Sequence, residues 1–429
     1  MTHLRDYASV TAAYWAFTLT DGALRMLVLL HFHRLGYSPI DIAVLFLLYE
    51  AMGVVTNFLG GWIGARYGLR ITLFTGLAVQ IAALVMLSLT DPAWTVALSV
   101  GYVMVAQALS GVAKDLTKMS SKSAVKLVVG AGDRGGLFKW VAILTGSKNA
   151  LKGVGFLLGG VLLEYLGFEP ALWSMAGALA LVLAAALALV RADLGRAKGR
   201  ITGRDLFSKT RAINLLSAAR IFLFASRDVW FVVAVPIFLY DQLGWGFDEV
   251  GAFMAAWVIG YGMVQAAAPR LLGRGAAERG AGAAKLWGAV LMVIPAGIAV
   301  GLSPEAMGWL AEASGAPLPA AFQPVLLIGG LLVFGLVFAL NSSVHSYLIV
   351  AYSDADKIAL NVGFYYMANA VGRFAGTLLS GLLYQFAGLA GTLWTSAALL
   401  AVTVAITLFL RSTVGPGEAA VASHGAEAD

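Results

Sequence analysis

Runs of apolar residues recur along the chain, each about as long as a bilayer is thick, separated by short polar or glycine-rich turns. About 20 apolar residues cross a bilayer as a helix. By that measure the pattern predicts twelve membrane-spanning helices, near residues 11–32, 40–62, 71–90, 94–117, 139–163, 171–190, 212–239, 248–269, 286–302, 323–348, 361–386 and 391–411. The stretch RADLGRAKGRITGRDLFSKTR, 191–211, is the one long basic polar connector, and it follows the sixth span. The expected organisation is an N-terminal six-helix bundle (1–191), a linker (192–211), a C-terminal six-helix bundle (212–411) and a disordered tail (412–429). The first ten residues are polar and lead into a full-length span, so no cleavable signal is expected.

The halves repeat one another. LGYSPIDIAVLF at 35–46 parallels LGWGFDEVGAFM at 243–254, and KGVGFLLGGVLLEYLG at 152–167 parallels RFAGTLLSGLLYQFAG at 373–388. This register sets Lys152 opposite Arg373 and Lys148 opposite Asn369. Two six-helix repeats around a midplane site resemble the major facilitator architecture. GGWIGARYGLR at 60–70 is similar to the cytoplasmic signature of that superfamily, G-x-x-x-D-R-x-G-R. Gly61, Gly64, Arg66, Gly68 and Arg70 fit this gating motif, and Ala65 stands where the acid is expected.

Composition agrees with a polytopic membrane protein. Of 429 residues, 60% are hydrophobic and 12% charged, and the mean hydropathy is +0.84. A soluble chain carries roughly 25% charged residues. Cysteine is absent, which removes disulfides, thiolate metal sites and a cysteine nucleophile. Most of the 29 Lys and Arg fall in the loops on one side, including Arg66, Arg70, Arg134, Arg270, Arg274 and Arg279, while the opposite loops hold Arg34 and many acids. Cytoplasmic loops collect Lys and Arg, so both termini and the connector are expected in the cytoplasm. The basic connector then reflects topology, not nucleic-acid binding.

The charges left inside the predicted spans are the informative ones. They are Arg25, Lys114, Lys118, Lys148, Lys152, Arg220, Arg227 and Arg373 against Asp21, Glu50, Asp115 and Asp228. A lone ammonium at the bilayer centre costs ~3 kcal/mol on insertion scales. Groups that merely neutralised one another would balance, and these do not. An excess of desolvated cations is tolerable where something anionic visits. Spacing supports a shared site: Lys148 and Lys152 lie on one helix face, as do Tyr365, Asn369 and Arg373. Arg220 and Arg227 line up on span seven, and Lys114, Lys118 and Lys122 on span four. Substrate binding is assigned to Arg25, Lys114, Lys118, Lys148, Lys152, Arg220, Arg227, Tyr365, Asn369 and Arg373.

Bland readings stand beside these. Asp21 and Arg25 also fit an intrahelical salt bridge, and Asp115 fits a counter-ion for Lys118. Arg227 and Asp228 are adjacent and about 100° apart on a helix, so they are expected not to pair with each other. Glu50, mid-span in LLYEAMG, fits either a proton carrier or a holder of a cavity arginine. Asp21, Glu50, Asp228 and His345 are the proton-coupling candidates. His31 and His33 cap the outer end of span one and read as interfacial; no metal or cofactor is implied.

Three long stretches carry a closer resemblance. YWAFTLTDGALRMLVLLHFHRLGYSP (14–39), AQALSGVAKDLTKMSSKSAVKL (106–127) and LTGSKNALKGVGF (144–156) are similar to the ArsJ family of organoarsenical efflux permeases. The resemblance implies export of 1-arseno-3-phosphoglycerate, the ester formed when glyceraldehyde-3-phosphate dehydrogenase uses arsenate in place of phosphate. It also implies arsenate resistance, a bacterial inner-membrane location and a monomer with no enzymatic step of its own. The dehydrogenase is a supplier, not a bound partner. Such a polyanion matches the basic spans, because Arg offers forked and Lys point contacts to tetrahedral oxyanions. An organophosphate/phosphate exchanger would need the same cations and stays open. A proton-coupled exporter of cationic drugs predicts acidic or neutral spans, and a membrane enzyme would need a catalytic cluster that five scattered histidines do not form.

Overall fold

In lipid every backbone N–H and C=O must be satisfied within the chain, so apolar runs of this length become helices. The computed structural model of the chain describes residues 2–124, 134–190, 210–271, 280–352 and 358–410. Within these, the side chains of 2–4, 58–67, 69, 119, 122–124, 134–146, 269–270, 350, 358–360 and 362 lie outside the description. So do the expected tail and all of the linker before residue 210.

The chain folds as α1 (Thr2–Arg34), α2 (Pro39–Ser88), α3 (Val96–Ala124), α4 (Arg134–Tyr165), α5 (Phe168–Leu189), α6 (Arg211–Phe231), α7 (Ala234–Asp241), α8 (Phe247–Leu271), α9 (Gly280–Gly301), α10 (Pro304–Ser314), α11 (Phe322–Ala351) and α12 (Ile358–Leu408). α2 turns at Gly68 and α12 at Gly388, and each supplies two spans. α6 and α7 together supply one. These twelve spans match the apolar runs. Among the described residues nine stretches pass as spans by length and hydropathy alone; α1 and α4, which carry Asp21, Arg25, Lys148 and Lys152, are not among them. α10 sits where the sequence pattern gave only a loop. It is capped by Ser303, closed by left-handed Gly315, and buries no residue.

The internal repeat is visible in the backbone. Gly36 and Gly244, which end the two LG dipeptides, have φ of 87° and 68°. Gly167 and Gly388, which end the second pair of parallel stretches, have φ of 82° and 60°. Such φ values cost a side chain little only at glycine, so the same residue type recurs at the same turn in each half.

The break between α6 and α7 has a local cause. Pro236 has no N–H to bond the carbonyl of Val232 and its ring crowds that carbonyl. The N–H groups of Val233 and Ala234 instead donate to Ser380 Oγ on α12, at 3.1 and 3.2 Å. Within the N-terminal half α1 packs closely on α4 at two glycines: a Cβ on Gly155 would meet Gly22, and one on Gly159 would meet Ala23. Between the halves α4 packs on α8 through Gly160 and Gly251, and α2 on α12 through Gly381 against Pro39 and Ala43.

Candidate functional site

A cavity of about 230 Å³ lies between the two groups of spans. α1 contributes Arg25, α2 Glu50 and Asn57, and α3 Lys114, Asp115 and Lys118. α4 contributes Lys148, Asn149 and Lys152, with Phe156 one turn beyond. From the other half come Arg220, Arg227 and Asp228 on α6, Trp257, Tyr261 and Gln265 on α8, Ser346 on α11, and Tyr366, Asn369 and Arg373 on α12. The register that set Lys152 opposite Arg373 thus brings both to one cavity.

The acids organise this wall. Glu50 is 1% exposed, and its Oε1 accepts from Arg25 Nη2 at 3.1 Å and from Arg373 Nη2 at 2.5 Å. One carboxylate oxygen therefore holds two arginines, one from each half. This is the arrangement expected of an arginine holder, one of the two readings open for Glu50. Arg25 does not pair with Asp21, whose Oδ1 accepts from the Tyr49 hydroxyl at 2.7 Å. Asp115 accepts from Thr56 Oγ1 and lies 3.5 Å from Lys118 Nζ, which also donates to Asn57 Oδ1 at 2.9 Å.

One sequence expectation needs correction. Arg227 and Asp228 do pair, with Nε 2.6 Å and Nη2 2.5 Å from Oδ1. The Cβ directions differ as expected, but the arginine stem is long enough to fold back. Arg373, which has no acid on its own helix, pairs across helices: besides Glu50 it lies 3.8 Å through Nε from Asp228 Oδ2. Its partners sit on α2 and α6, so no intrahelical count reveals them.

Among the described residues three cations of this wall have no carboxylate within ion-pair distance: Lys114, Lys152 and Arg220. Lys114 Nζ lies 3.9 Å from the Tyr49 ring centroid and Lys152 Nζ 5.8 Å from that of Phe156. The ring faces replace part of the lost hydration. Arg220 is 3% exposed and sits between the Phe224 ring at 4.0 Å and the Tyr365 ring at 4.7 Å.

Three candidates stand behind the wall: Asp21, Tyr365 and His345, all buried. Gly68 marks the turn in α2, and the Arg70 guanidinium lies over the Phe74 ring at 5.5 Å. The side chains of Arg66 and Lys122 lie outside the described residues, as does the burial of the gating-motif glycines 61 and 64. Sequence reasoning missed the amides Asn57, Asn149 and Gln265. Asn149 Nδ2 donates to Gln265 Oε1 at 3.2 Å, joining α4 to α8. Amides inside apolar spans were the available signal, masked by the attention that full charges draw.

Further bonds between the halves lie at one end of the cavity. His33 Nε2 lies 2.8 Å from Asp241 Oδ1, joining α1 to α7. The Ile40 N–H donates to Gln385 Oε1 and the Phe247 N–H to Glu164 Oε2, each at 3.3 Å. Arg34 lies over the Phe247 ring at 5.5 Å.

The profile described as Major Facilitator Superfamily matches residues 9–315. No curated protein matches the chain. Among solved structures, the human organic anion transporter MFSD10 (TETRAN) is similar over 94% of this chain and 99% of its own, with a TM-score of 0.63 and 16% identity. A structure from work on substrate recognition in proton-dependent oligopeptide transporters is similar over 94% of this chain and 98% of its own, with a TM-score of 0.65 and 14% identity.

Proposed function

The chain belongs to the Major Facilitator Superfamily, and on that premise we propose that it is an alternating-access exporter of a compact organic polyanion, 1-arseno-3-phosphoglycerate. One observation carries the polyanion reading. Lys114, Lys152 and Arg220 line a single cavity of about 230 Å³ with no carboxylate partner among the described residues. Desolvated cations are stabilised by an anion that replaces their water, and each charge-assisted contact contributes ~1.5–3 kcal/mol. The cavity is smaller than the ~300–1,000 Å³ typical of drug-sized ligands, which favours a small metabolite over a lipophilic drug. The choice of the arsenical rests on the sequence resemblance.

The ion pairs suggest how binding drives the cycle. Arg373 is shared between Glu50 of one half and Asp228 of the other, so a polyanion at Lys152 and Lys114 competes with Glu50 for it. Drawing Arg373 away stabilises a different arrangement of the halves, and a ligand shifts a conformational equilibrium by its differential affinity for the two states. In this reading the end closed by His33 and Asp241 faces outward and the cavity loads from the cytoplasm. Both termini are cytoplasmic, the membrane is the bacterial inner membrane, and the protein works as a monomer. The carboxylate of Glu50, once freed, takes a proton from outside and couples efflux to the proton gradient.

Efflux into inverted vesicles tests this, with substrate generated enzymatically from glyceraldehyde 3-phosphate, NAD and arsenate. Uptake that needs arsenate supports the export reading. Uptake of 3-phosphoglycerate that instead requires phosphate on the opposite side would favour the exchanger.

A further inference from the structure

Behind the cavity wall, α6 and α11 enclose a second set of polar side chains. Ser217 and Arg220 lie three residues apart on α6, and Asn341, Ser342 and His345 share one face of α11. All are buried, Arg220 at 3% and Asn341 and His345 at 0% exposure. Arg220 Nη1 donates to the Ser342 carbonyl at 3.3 Å and to its Oγ at 3.0 Å, tying the two helices together. Among the described residues nothing accepts from Arg220 Nε. Ser217 Oγ, both polar atoms of the Asn341 amide and both ring nitrogens of His345 likewise have no partner. Of this set Arg220 lines the central cavity, whereas Ser217, Asn341 and His345 do not.

A buried polar group left unpaired costs ~1–3 kcal/mol, and a buried lone cation more. Apolar residues of similar shape would avoid that cost between two membrane helices. The groups that remain unpaired include a guanidinium N–H, a hydroxyl, an amide NH₂ and an imidazole N–H, all able to donate. One positive charge ringed by neutral donors suits a single negative charge. A divalent oxyanion would leave one charge unmatched. Size is restricted too, since α9 closes over Asn341 through Gly288, where a Cβ would lie 3.8 Å from Asn341 Nδ2, and Tyr365 closes over Arg220.

We propose that Ser217, Arg220, Asn341 and His345 form a second binding site, which takes one small monovalent inorganic anion of halide size. The anion neutralises Arg220 from the side away from the central cavity. This goes beyond the polyanion reading and does not rest on it, because three of the four residues stand outside the central cavity. The two sites share one cation, so filling either weakens the other, and by linkage the effect is reciprocal.

The test is equilibrium binding of radiolabelled chloride to the purified full-length protein, with gluconate replacing chloride at constant ionic strength. The expected result is saturable binding that bromide displaces, that Asn341→Leu weakens roughly tenfold or more and that Lys152→Ala leaves unchanged. Absence of saturable binding in protein that unfolds cooperatively would overturn the proposal. So would chloride binding that Lys152→Ala abolishes and Asn341→Leu preserves, which would put the halide in the central cavity. Ser217→Ala is a smaller change that repeats the comparison if Asn341→Leu does not fold. Binding of 3-phosphoglycerate to the same preparation is a separate readout: its loss removes the polyanion reading and leaves the chloride result to be judged by itself.

Discussion

Glu50 and Lys152 face the same cavity but stand in opposite electrostatic situations, and their variants separate two roles. Lys152 has no carboxylate partner among the described residues, so Lys152→Ala removes a desolvated charge without stranding another. It is predicted to weaken polyanion binding by about 2 kcal/mol, some thirtyfold, with an unchanged Tm. Calorimetric titration with 3-phosphoglycerate measures the first and thermal unfolding the second; equal loss of both would make Lys152 structural. Glu50→Gln leaves Arg25 and Arg373 without their shared counter-ion. Breaking such a buried pair costs ~3–5 kcal/mol, so the Tm should fall, while the freed arginines bind polyanion more tightly and efflux slows. A Glu50→Gln protein with normal stability and normal efflux would contradict both the clamp and its part in coupling. The sequence showed which charges lie at mid-span, because an ionised group in an apolar run is conspicuous. It did not show who pairs with whom. Glu50 meets its partners from α1 and α12, and the Arg227–Asp228 pair depends on side-chain bending that Cβ directions do not report.

At the scale of elements, helices were legible wherever an apolar run had the length of a bilayer, and their interruptions were not. Pro236 marks the break in span seven, yet what repairs it, Ser380, lies 144 or more residues away on α12. Ser380→Ala takes the acceptor from two buried N–H groups. It is predicted to destabilise by about 1–3 kcal/mol, read as a lower Tm, with polyanion affinity kept. An unchanged Tm would mean that the break is stable without that hydroxyl. Close helix contacts offer a second comparison. Gly155 on α4 faces Gly22 on α1 with no room for a side chain, whereas a Cβ on Gly177 of α5 would meet nothing within 4 Å. Gly155→Val should therefore abolish monodisperse protein and Gly177→Val should not, as size-exclusion profiles will show. α10 escaped the sequence reading because its 11 residues fall short of the length of a bilayer span.

For the whole molecule, the two halves were visible as a repeat, and the backbone bears this out in the paired glycine turns at Gly36 and Gly244 and at Gly167 and Gly388. The contacts between halves were not visible, since bonds such as His33–Asp241 and Asn149–Gln265 join residues from separate repeats. His33–Asp241 ties the halves together at one end, and Asn57, Lys118 and Gln265 line the cavity. Because the chain has no cysteine, a single Ser346→Cys residue reports on cavity access directly. It should react with a water-soluble maleimide added from the cytoplasmic side and be protected by polyanion; labelling from the opposite side alone would reverse the assigned orientation. The most direct test of the central claim is transport itself. Inverted vesicles containing the protein are supplied with glyceraldehyde-3-phosphate dehydrogenase, glyceraldehyde 3-phosphate, NAD and arsenate, and accumulated arsenic is counted with and without a pH gradient. The expected result is arsenic uptake that requires the dehydrogenase reaction, falls at least tenfold in Lys152→Ala and slows when the gradient is collapsed. Arsenic uptake no greater than in vesicles lacking the protein, or equal uptake by Lys152→Ala, would contradict it.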